Sequence, residues 1–307
     1  MADSKEMKKV VVAGGTGSVG RNIVDAIVAT GKYAVIVFSR HQPSNPVPKG
    51  VTLIIVDYND HCQLHETLKN VHTVISCISD LDESCRDAQI ALLHACLKAG
   101  VKRFAPSEWA GSSERNTFIE LYTNVKKPVV DAVKCSGIEY TLFLNGLFMD
   151  YFATPQQSNP YLEPMPFGVD MNKCTARFVG TGDEPFNVTL LEDVAKFVAA
   201  ALDLDHWEPH SGIVGSRTSW NEIIQLGEKV REQKFEVERL TVDEMLATRN
   251  KKSANSMEAF YADAMVHFAR GEMEYEATLN ERFPAMKVTK IDEFIEKWWK
   301  NKKKQIL

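Results

Sequence analysis

Residues Lys9 to Gly20 read KVVVAGGTGSVG, and this short stretch decides the fold. A hydrophobic, β-branched run leads without a gap into a turn with four glycines, and the amphipathic segment Arg21–Ala29 follows it. Glycine is suited to a turn where the backbone bends sharply and another group must approach without meeting a Cβ atom. A helix that starts at such a turn directs free N–H groups and the positive end of its dipole towards it. The stretch therefore predicts a strand–turn–helix unit that holds a phosphate group.

The first half of the chain continues this order of strand and helix. Asp82 to Ala99 has hydrophobic residues at helical spacing, and Gly100 is placed to end that helix. Hydrophobic runs predict six strands, at Lys9–Ala13, Ala34–Ser39, Thr52–Val56, Thr73–Cys77, Arg103–Pro106 and Tyr140–Leu144. Such alternation is typical of a parallel sheet with helices on both faces.

In this context the glycine turn predicts an α/β Rossmann fold, a doubly wound parallel sheet that binds a dinucleotide. A glycine-rich turn that binds nothing is the alternative, and the strand–helix context argues against it. The residues expected to contact the pyrophosphate are Gly14, Thr16, Gly17, Ser18, Val19 and Gly20.

The second half of the chain has a different pattern. Residues Thr154–Asn172 are rich in proline and asparagine, which predicts a long loop. Two later segments match capping boxes and predict helices, Ser219 with Glu222 and Thr241 with Glu244. We therefore predict a dinucleotide-binding domain over residues 1–153. A smaller, mostly helical substrate-binding portion is predicted over residues 154–307, with some elements returning to the Rossmann sheet.

The composition disfavours several classes of function. A formal charge of −5 and a pI near 5.9 provide no basic field for nucleic acid or an anionic membrane. The six cysteines form no CxxC pair, and no hydrophobic run approaches the roughly 18 residues that a membrane span needs. The eight histidines show no HExxH spacing, so no metal is expected. We expect a cytoplasmic protein, a monomer or homodimer, that acts on a small molecule.

The end of the second predicted strand indicates which dinucleotide binds. In NAD-binding proteins an acidic residue about 20 positions beyond the glycine motif hydrogen-bonds the ribose 2′-hydroxyl. Here the sequence is Phe38-Ser39-Arg40-His41. Arginine pairs with a 2′-phosphate through two charge-assisted hydrogen bonds. Arg40 therefore predicts NADPH, and the alternative is an ordinary exposed arginine in a loop.

Tyr122 and Lys126 are the candidate catalytic residues. In an α-helix after the fifth predicted strand they lie one turn apart on one face. An ammonium group near the nicotinamide ribose can stabilise a tyrosinate, or can itself donate a proton as hydride reaches the substrate. The spacing alone is equally typical of a surface helix, but its place after the fifth strand of a dinucleotide fold favours chemistry. We expect Lys126 to have no buried partner.

Loops at the carboxyl ends of the predicted strands supply the other candidates. Cys77 is expected beside the nicotinamide in a packing role, and Ser107 is expected to contact substrate or to serve in capping or packing. After the sixth strand, Asn145, Phe148 and Tyr151 predict a pocket for an aromatic substrate. A place in the hydrophobic core is the open alternative for the two aromatic residues.

Several motifs carry a family resemblance. Val101 to Trp109 read VKRFAPSEW, and Gly137 to Thr141 read GIEYT. With the glycine turn and Val125-Lys126, these segments resemble the NmrA-like and isoflavone-reductase-like branch of the atypical short-chain dehydrogenases. The resemblance implies that Lys126 matches a lysine regarded as catalytic. It also implies that Arg40 matches a residue that binds the NADPH phosphate.

The same resemblance implies reduction of a C=C or C=O bond in an aromatic or polyketide-like product of secondary metabolism. Plant members usually lack a tyrosine four residues before the lysine, so the choice of proton donor between Tyr122 and Lys126 stays open. Two other functions stay open as well. One is a non-catalytic NADP(H) sensor that regulates partner proteins, and the other is an epimerase or isomerase that keeps its nicotinamide bound.

Overall fold

The computed structural model describes residues 7–44, 46–79, 82–115, 119–252, 256–300 and 302. The chain forms two compact units, each assembled from separate segments. The first comprises Met1–Glu108, Asn124–Phe143 and Ala195–Ser211, and the second comprises Trp109–Thr123, Leu144–Val194 and Gly212–Leu307. The predicted functional division at residue 153 stays a prediction, and these compact units divide the chain at other positions.

A six-stranded sheet with the strand order β3-β2-β1-β4-β5-β6 forms the centre of the first unit. Strands β1 to β6 span Lys9–Ala13, Ala34–Ser39, Thr52–Ile55, Val71–Ser76, Arg103–Ala105 and Glu139–Tyr140. Every neighbouring pair is parallel. The order reverses between β1 and β4, which is the point where doubly wound sheets bind their ligands. The predicted α/β Rossmann fold is confirmed.

The helices of the first unit begin and end where local sequence signals place them. They are α1 (Ser18–Thr30), α2 (His61–Thr67), α3 (Glu83–Ala99) and α4 (Lys127–Ser136), and α5 (Leu191–Ala201) ends there too. The Asp82 side chain accepts a hydrogen bond from Ser84 N, and Gly100 ends α3 in the left-handed conformation with φ 75°. Helix α1 begins three residues before the predicted Arg21, because the last residues of the glycine motif form its first turn.

The sixth predicted strand is divided in two. Strand β6 ends at Tyr140 and β7 covers Leu142–Leu144, with Thr141 between them. Thr141 is fully buried, and its hydroxyl lies 2.8 Å from the Ser211 hydroxyl. The prediction of one continuous strand was therefore wrong at this residue. The fourth strand also differs slightly from its prediction, since β4 begins at Val71 and ends before Cys77.

The second unit contains more strands than its sequence predicts. Its two three-stranded sheets have the orders β14-β10-β9 and β13-β11-β8. Strands β8 to β11, β13 and β14 span Leu147–Phe148, Val169–Asp170, Thr175–Val179, Phe186–Thr189, Ser216–Thr218 and Glu236–Leu240. Strand β12 (His210–Gly212) begins in the first unit and pairs with β7 in a two-stranded sheet. Most of them are too short to show a clear alternation of polar and hydrophobic residues. Helices still cover more of the described residues after 153 than strands do, and the predicted loop Thr154–Asn172 contains β9.

Helices complete the second unit. They are α6 (Trp220–Arg231), α7 (Val242–Arg249), α8 (Met257–Ala269), α9 (Thr278–Arg282) and α10 (Ile291–Trp299). Both predicted capping boxes are present, at Ser219 before α6 and at Thr241 before α7. The centre of the unit is an aromatic cluster in which Trp220 contacts Phe186 and Phe268, with ring centroids 4.5 and 5.1 Å apart. In the described part of the chain, no helix has both the length and the hydrophobicity to cross a membrane.

Candidate functional site

The glycine turn lies at the carboxyl end of β1, and glycine is needed at its positions for different physical reasons. A Cβ atom on Gly14, where φ is 75°, would lie 2.6 Å from the carbonyl oxygen of Cys77. A Cβ atom on Gly20 would lie 2.3 Å from the Gly14 carbonyl oxygen. On Gly17 the nearest contact would be an ordinary 3.5 Å. Gly14 and Gly20 are therefore required by the packing of the turn, and Gly17 leaves space for an incoming group.

Helix α1 begins directly at this turn without a side-chain cap. Gly17 is the N-cap residue in an extended conformation, and the first turn of the helix contains no acidic residue. The positive end of the helix dipole is thus not neutralised by a carboxylate in that turn. This arrangement suits the binding of a pyrophosphate.

The residues predicted around the ribose also lie near the turn. The Thr16 and Ser39 hydroxyls are 3.4 Å apart, and Ser39 Oγ donates to the His41 carbonyl oxygen at 2.7 Å. Arg40 is exposed at the end of β2. Burial raises the pKa of Tyr58, and the nearby Arg40 guanidinium opposes that rise. The Arg40 charge therefore lies close to Tyr58 at the carboxyl end of β2, and its binding of a 2′-phosphate stays a prediction.

Cys77 follows β4 and lies against the glycine turn. Its N–H donates to the Ala13 carbonyl oxygen at 2.7 Å, and its own carbonyl oxygen crowds Gly14. The side chain is buried, and this burial raises the pKa of the thiol. A protonated, buried thiol is suited to packing rather than to nucleophilic chemistry.

Lys126 is held at the carboxyl end of β5. Its Nζ donates a hydrogen bond to the carbonyl oxygen of Glu108, so the expectation that it has no buried partner was wrong. Burial lowers the pKa of the Lys126 ammonium, and the charge of Glu108 partly offsets this effect. Close by in sequence, the Ser107 N–H donates to Gln89 Oε1 at 2.9 Å. The geometry presents an ammonium group at the edge of the sheet where dinucleotide folds place their chemistry.

The segment that carries Tyr122 and Lys126 is a π-helix over Leu121–Lys126, where an α-helix was predicted. Pro128 supplies a physical reason, because proline has no N–H to bond the carbonyl oxygen four residues earlier. That oxygen belongs to Asn124, and it accepts a hydrogen bond from Arg86 Nη1 at 3.4 Å instead. Single π-helical turns occur frequently at functional sites. Tyr122 belongs to the second compact unit and Lys126 to the first.

Three of the four predicted substrate residues, Asn145, Phe148 and Tyr151, lie in the second unit, whereas Ser107 lies in the first. Asn145 is fully buried, and its Nδ2 donates to the Gly146 carbonyl oxygen at 2.9 Å. Its Oδ1 has no hydrogen-bond partner among the described residues. Phe148 and Tyr151 form an edge-to-face pair with centroids 6.3 Å apart, and Tyr151 stacks on Phe167 at 6.1 Å. Asn145 therefore offers an unused acceptor, whereas the two aromatic side chains are largely packed within this unit.

Comparison with known proteins places this arrangement in a family. The model of the NmrA-like family matches residues 6–295. The chain belongs to the NmrA-like family. Oxidoreductase BOA1 of Botryotinia fuckeliana is 36% identical over 234 residues, which is 75% of this chain and 78% of that protein. Isoflavone reductase homolog P3 of Arabidopsis thaliana is 26% identical over 319 residues, covering 94% and 98% of the two chains. The predicted resemblance and the predicted class, an oxidoreductase, are confirmed.

Solved structures of NmrA-like reductases share the fold. A structure of AtPrR2 with NADP+ and (+)pinoresinol matches with a TM-score of 0.76 and 24% identity, covering 95% of this chain and 99% of that one. The binary complex of leucoanthocyanidin reductase and NADPH from Vitis vinifera matches with a TM-score of 0.75 and 20% identity, over 94% and 99%. Both structures contain NADP+ or NADPH, which is the cofactor predicted here from Arg40.

Sequence reasoning missed one cluster of this NmrA-like chain. In the second unit His267 pairs with Glu272 and lies against Tyr122 and Gly111. The loop that carries Gly111 begins with Trp109 and Ala110, both at positive φ, 26° and 140°. Such strain in residues other than glycine persists only where the surrounding structure holds it. Residues so far apart in sequence have no spacing signal that links them, so only the fold shows their association.

Proposed function

We propose that this NmrA-like protein is an NADPH-dependent reductase that transfers hydride to a C=C or C=O bond of a small aromatic or polyketide-like metabolite. The observation that carries the proposal is the Lys126 ammonium, held by the Glu108 carbonyl oxygen at the carboxyl edge of the same sheet as the glycine turn. A half-buried cation at this edge would stabilise negative charge that develops on a carbonyl or enolate oxygen during reduction.

The cofactor proposal rests on three features of the first unit. The uncapped start of α1 receives the pyrophosphate, and Gly17 leaves room for it. Arg40 pairs with the 2′-phosphate. Bound NADPH supplies the hydride, and the relatives solved with NADP+ or NADPH support this choice.

Substrate contacts are proposed for four residues. Asn145 offers an unused oxygen acceptor to a hydroxyl group, which suits a phenol or an enol. Phe148 and Tyr151 supply aromatic surface, and Ser107 supplies a hydroxyl at the residue before Glu108, whose carbonyl oxygen accepts the Lys126 hydrogen bond. Lys126 or Tyr122 then delivers the proton that completes the reduction. All six cysteines are free thiols, which favours the reducing environment of the cytoplasm.

The experiment that tests the function is NADPH oxidation followed against a panel of aromatic enones, isoflavone-like compounds and quinones. We expect turnover with at least one class, and markedly slower turnover with NADH at the same subsaturating concentration. NADPH binding without turnover across the whole panel would instead support the sensor. Cofactor that stays bound through gel filtration would support the epimerase, because a reductase must exchange its nicotinamide at every cycle.

The Tyr122→Phe variant separates two schemes for the proton. A loss of kcat comparable to that of Lys126→Ala makes the tyrosine the donor, with the lysine stabilising its anion. A small loss leaves the lysine, or a water bound to it, as the donor.

A further inference from the structure

A buried histidine of the second unit takes no part in the reaction as proposed so far. His267 lies near the end of α8 and is only 1% exposed. Its Nδ1 is 2.7 Å from Glu272 Oε2, in the turn that follows the helix. A carboxylate only accepts hydrogen bonds, so Nδ1–H is the donor of the pair. The carboxylate therefore fixes both the tautomer and the orientation of the ring.

The other side of this imidazole contacts the candidate proton donor. The rings of His267 and Tyr122 meet edge to face, with centroids 5.8 Å apart and planes at 89°. Tyr122 is itself buried, with 4% of its surface exposed. The phenol ring is thus held against an imidazole that a carboxylate holds in turn.

The loop after β5 fits around the same imidazole. A Cβ atom on Gly111 would lie 3.2 Å from His267 Nε2, 2.8 Å from Met273 Sδ and 3.0 Å from the Tyr275 hydroxyl oxygen. The Tyr275 hydroxyl accepts a hydrogen bond from Ser112 N at 2.9 Å and donates one to the Glu272 carbonyl oxygen at 3.0 Å. The loop, the turn and the ring therefore form one packed unit in which residue 111 has no room for a side chain.

We propose that His267, held by Glu272, is a positioning residue that sets the orientation of the Tyr122 phenol for proton transfer. This inference rests on the proposed reductase function, and it assigns to the Glu272–His267 pair the role of a support behind the proton donor. Rotation of the phenol by one rotamer would move its hydroxyl by several bond lengths, and proton transfer tolerates little misplacement.

The charge state of His267 gives the proposal a spectroscopic signature. Burial lowers the pKa of His267, the hydrogen bond and charge of Glu272 oppose this, and Arg270 adds to the lowering. Charged residues on the elements next to α8 are paired with other residues. Arg249 of α7 pairs with Asp263 and Glu120, and Arg177 of β10 pairs with Glu238. Removal of the Glu272 charge must therefore move the titration of His267 to lower pH.

A double-mutant cycle tests the proposal in the active enzyme. We expect His267→Ala to lower kcat about tenfold or more with KM and the NADPH Kd unchanged. In the Tyr122→Phe background, His267→Ala should lower kcat no further, because the hydroxyl that His267 positions is already absent. Glu272→Gln keeps an acceptor for Nδ1–H and should retain most activity, whereas Glu272→Ala should match His267→Ala. The matched control is Tyr261→Phe on the same helix as His267. Its effect on the logarithm of kcat should add to that of Tyr122→Phe.

Additive losses of His267→Ala and Tyr122→Phe would overturn the proposal while leaving the reductase function intact. If no substrate is found, ¹³C-labelled tyrosine decides the question without turnover. The Tyr122 ring signal, assigned with Tyr122→Phe, should shift with the titration of His267, and its midpoint should move to lower pH in Glu272→Gln. A Tyr122 chemical shift that does not change with the titration of His267 would show that the imidazole does not orient the phenol, and would overturn the proposal.

Discussion

The two edges of the parallel sheet in the first unit are built in opposite ways. At the amino edge the charges are matched: Arg103 pairs with Glu139 at 3.1 Å, donates to the Asp205 carbonyl oxygen at 2.7 Å and lies over the Trp207 ring. At the carboxyl edge the Lys126 ammonium bonds a carbonyl oxygen, and Arg40 stands exposed at the end of β2. Matched charge stabilises the sheet, and we propose that the charge at the other edge serves a ligand. The comparison therefore separates stability from function within one sheet.

The largest effect is expected at the amino edge. Arg103→Ala should lower the free energy of unfolding by about 3 kcal/mol, the lower end for breaking a buried pair, since Glu139 is partly exposed. Urea denaturation measures this, and kcat of the folded enzyme should not change. The control is Arg177→Ala. Arg177 forms an ion pair with Glu238 at the surface, and such a pair contributes about 0–1 kcal/mol to stability. Equal stability of the two variants would remove the contrast between the edges.

At the carboxyl edge the main effect should be kinetic. Lys126→Ala should lower kcat by about 10², the scale of a positioned acid or electrostatic donor. The free energy of unfolding should change by less than about 1 kcal/mol, because the lost hydrogen bond is offset by the loss of a buried charge. Lys127→Ala is the control, since this lysine forms an exposed pair with Asp131. Near-native turnover of Lys126→Ala would disprove the catalytic assignment and favour the sensor.

The glycine turn sharpens the comparison, because it contains a glycine required for stability and a glycine proposed for binding within four residues. Gly14→Ala should destabilise the protein by at least about 1–2 kcal/mol, since alanine is strained at φ 75° and would meet the Cys77 carbonyl. Gly17→Ala should leave thermal stability nearly unchanged and weaken NADPH binding. Thermal melting and fluorescence titration of the two variants measure the difference. If both variants lose only stability, the turn has no binding role.

The smallest expected effect concerns the choice between the two nicotinamide cofactors. The wild-type protein should bind NADPH at least about tenfold more tightly than NADH, which is about 1.4 kcal/mol. Arg40→Ala should remove most of this preference, and Arg40→Asp should reverse it, because a carboxylate repels the 2′-phosphate. Fluorescence titration with both cofactors checks this. Equal affinities in the wild type would contradict the assignment of Arg40.

The features that sequence predicted are those determined by neighbouring residues. The strand β1, the glycine turn and the caps at Gly100, Ser219 and Thr241 are local, because the interacting groups are within a few positions of each other. The π-helix has a local cause as well, since Pro128 releases the Asn124 carbonyl, but an α-helical spacing rule does not consider that release. The cause was therefore readable in the sequence, and only its consequence was missed.

Other parts were beyond sequence reasoning for a different reason. The Gly111 backbone lies against His267, Met273 and Tyr275 only because the chain returns there after more than a hundred residues. No pattern in composition or periodicity reports such a contact. Phe148 and Tyr151 illustrate the same limit, because a hydrophobic pocket and a hydrophobic core select the same side chains.

The hydrogen bond from Lys126 to Glu108 also has a topological meaning. Glu108 is the last residue of the first unit before the chain leaves it, and Asn124 is the first on its return. The hydrogen bond from Lys126 to the Glu108 carbonyl oxygen therefore links residues on the two sides of the inserted segment Trp109–Thr123. If a substrate oxygen takes the place of the Glu108 carbonyl oxygen as the acceptor of the Lys126 ammonium, this link is lost. Substrate binding at Lys126 would then lower the local stability of the inserted segment. Amide hydrogen exchange in Trp109–Thr123 should therefore increase when the Lys126 ammonium binds a substrate oxygen.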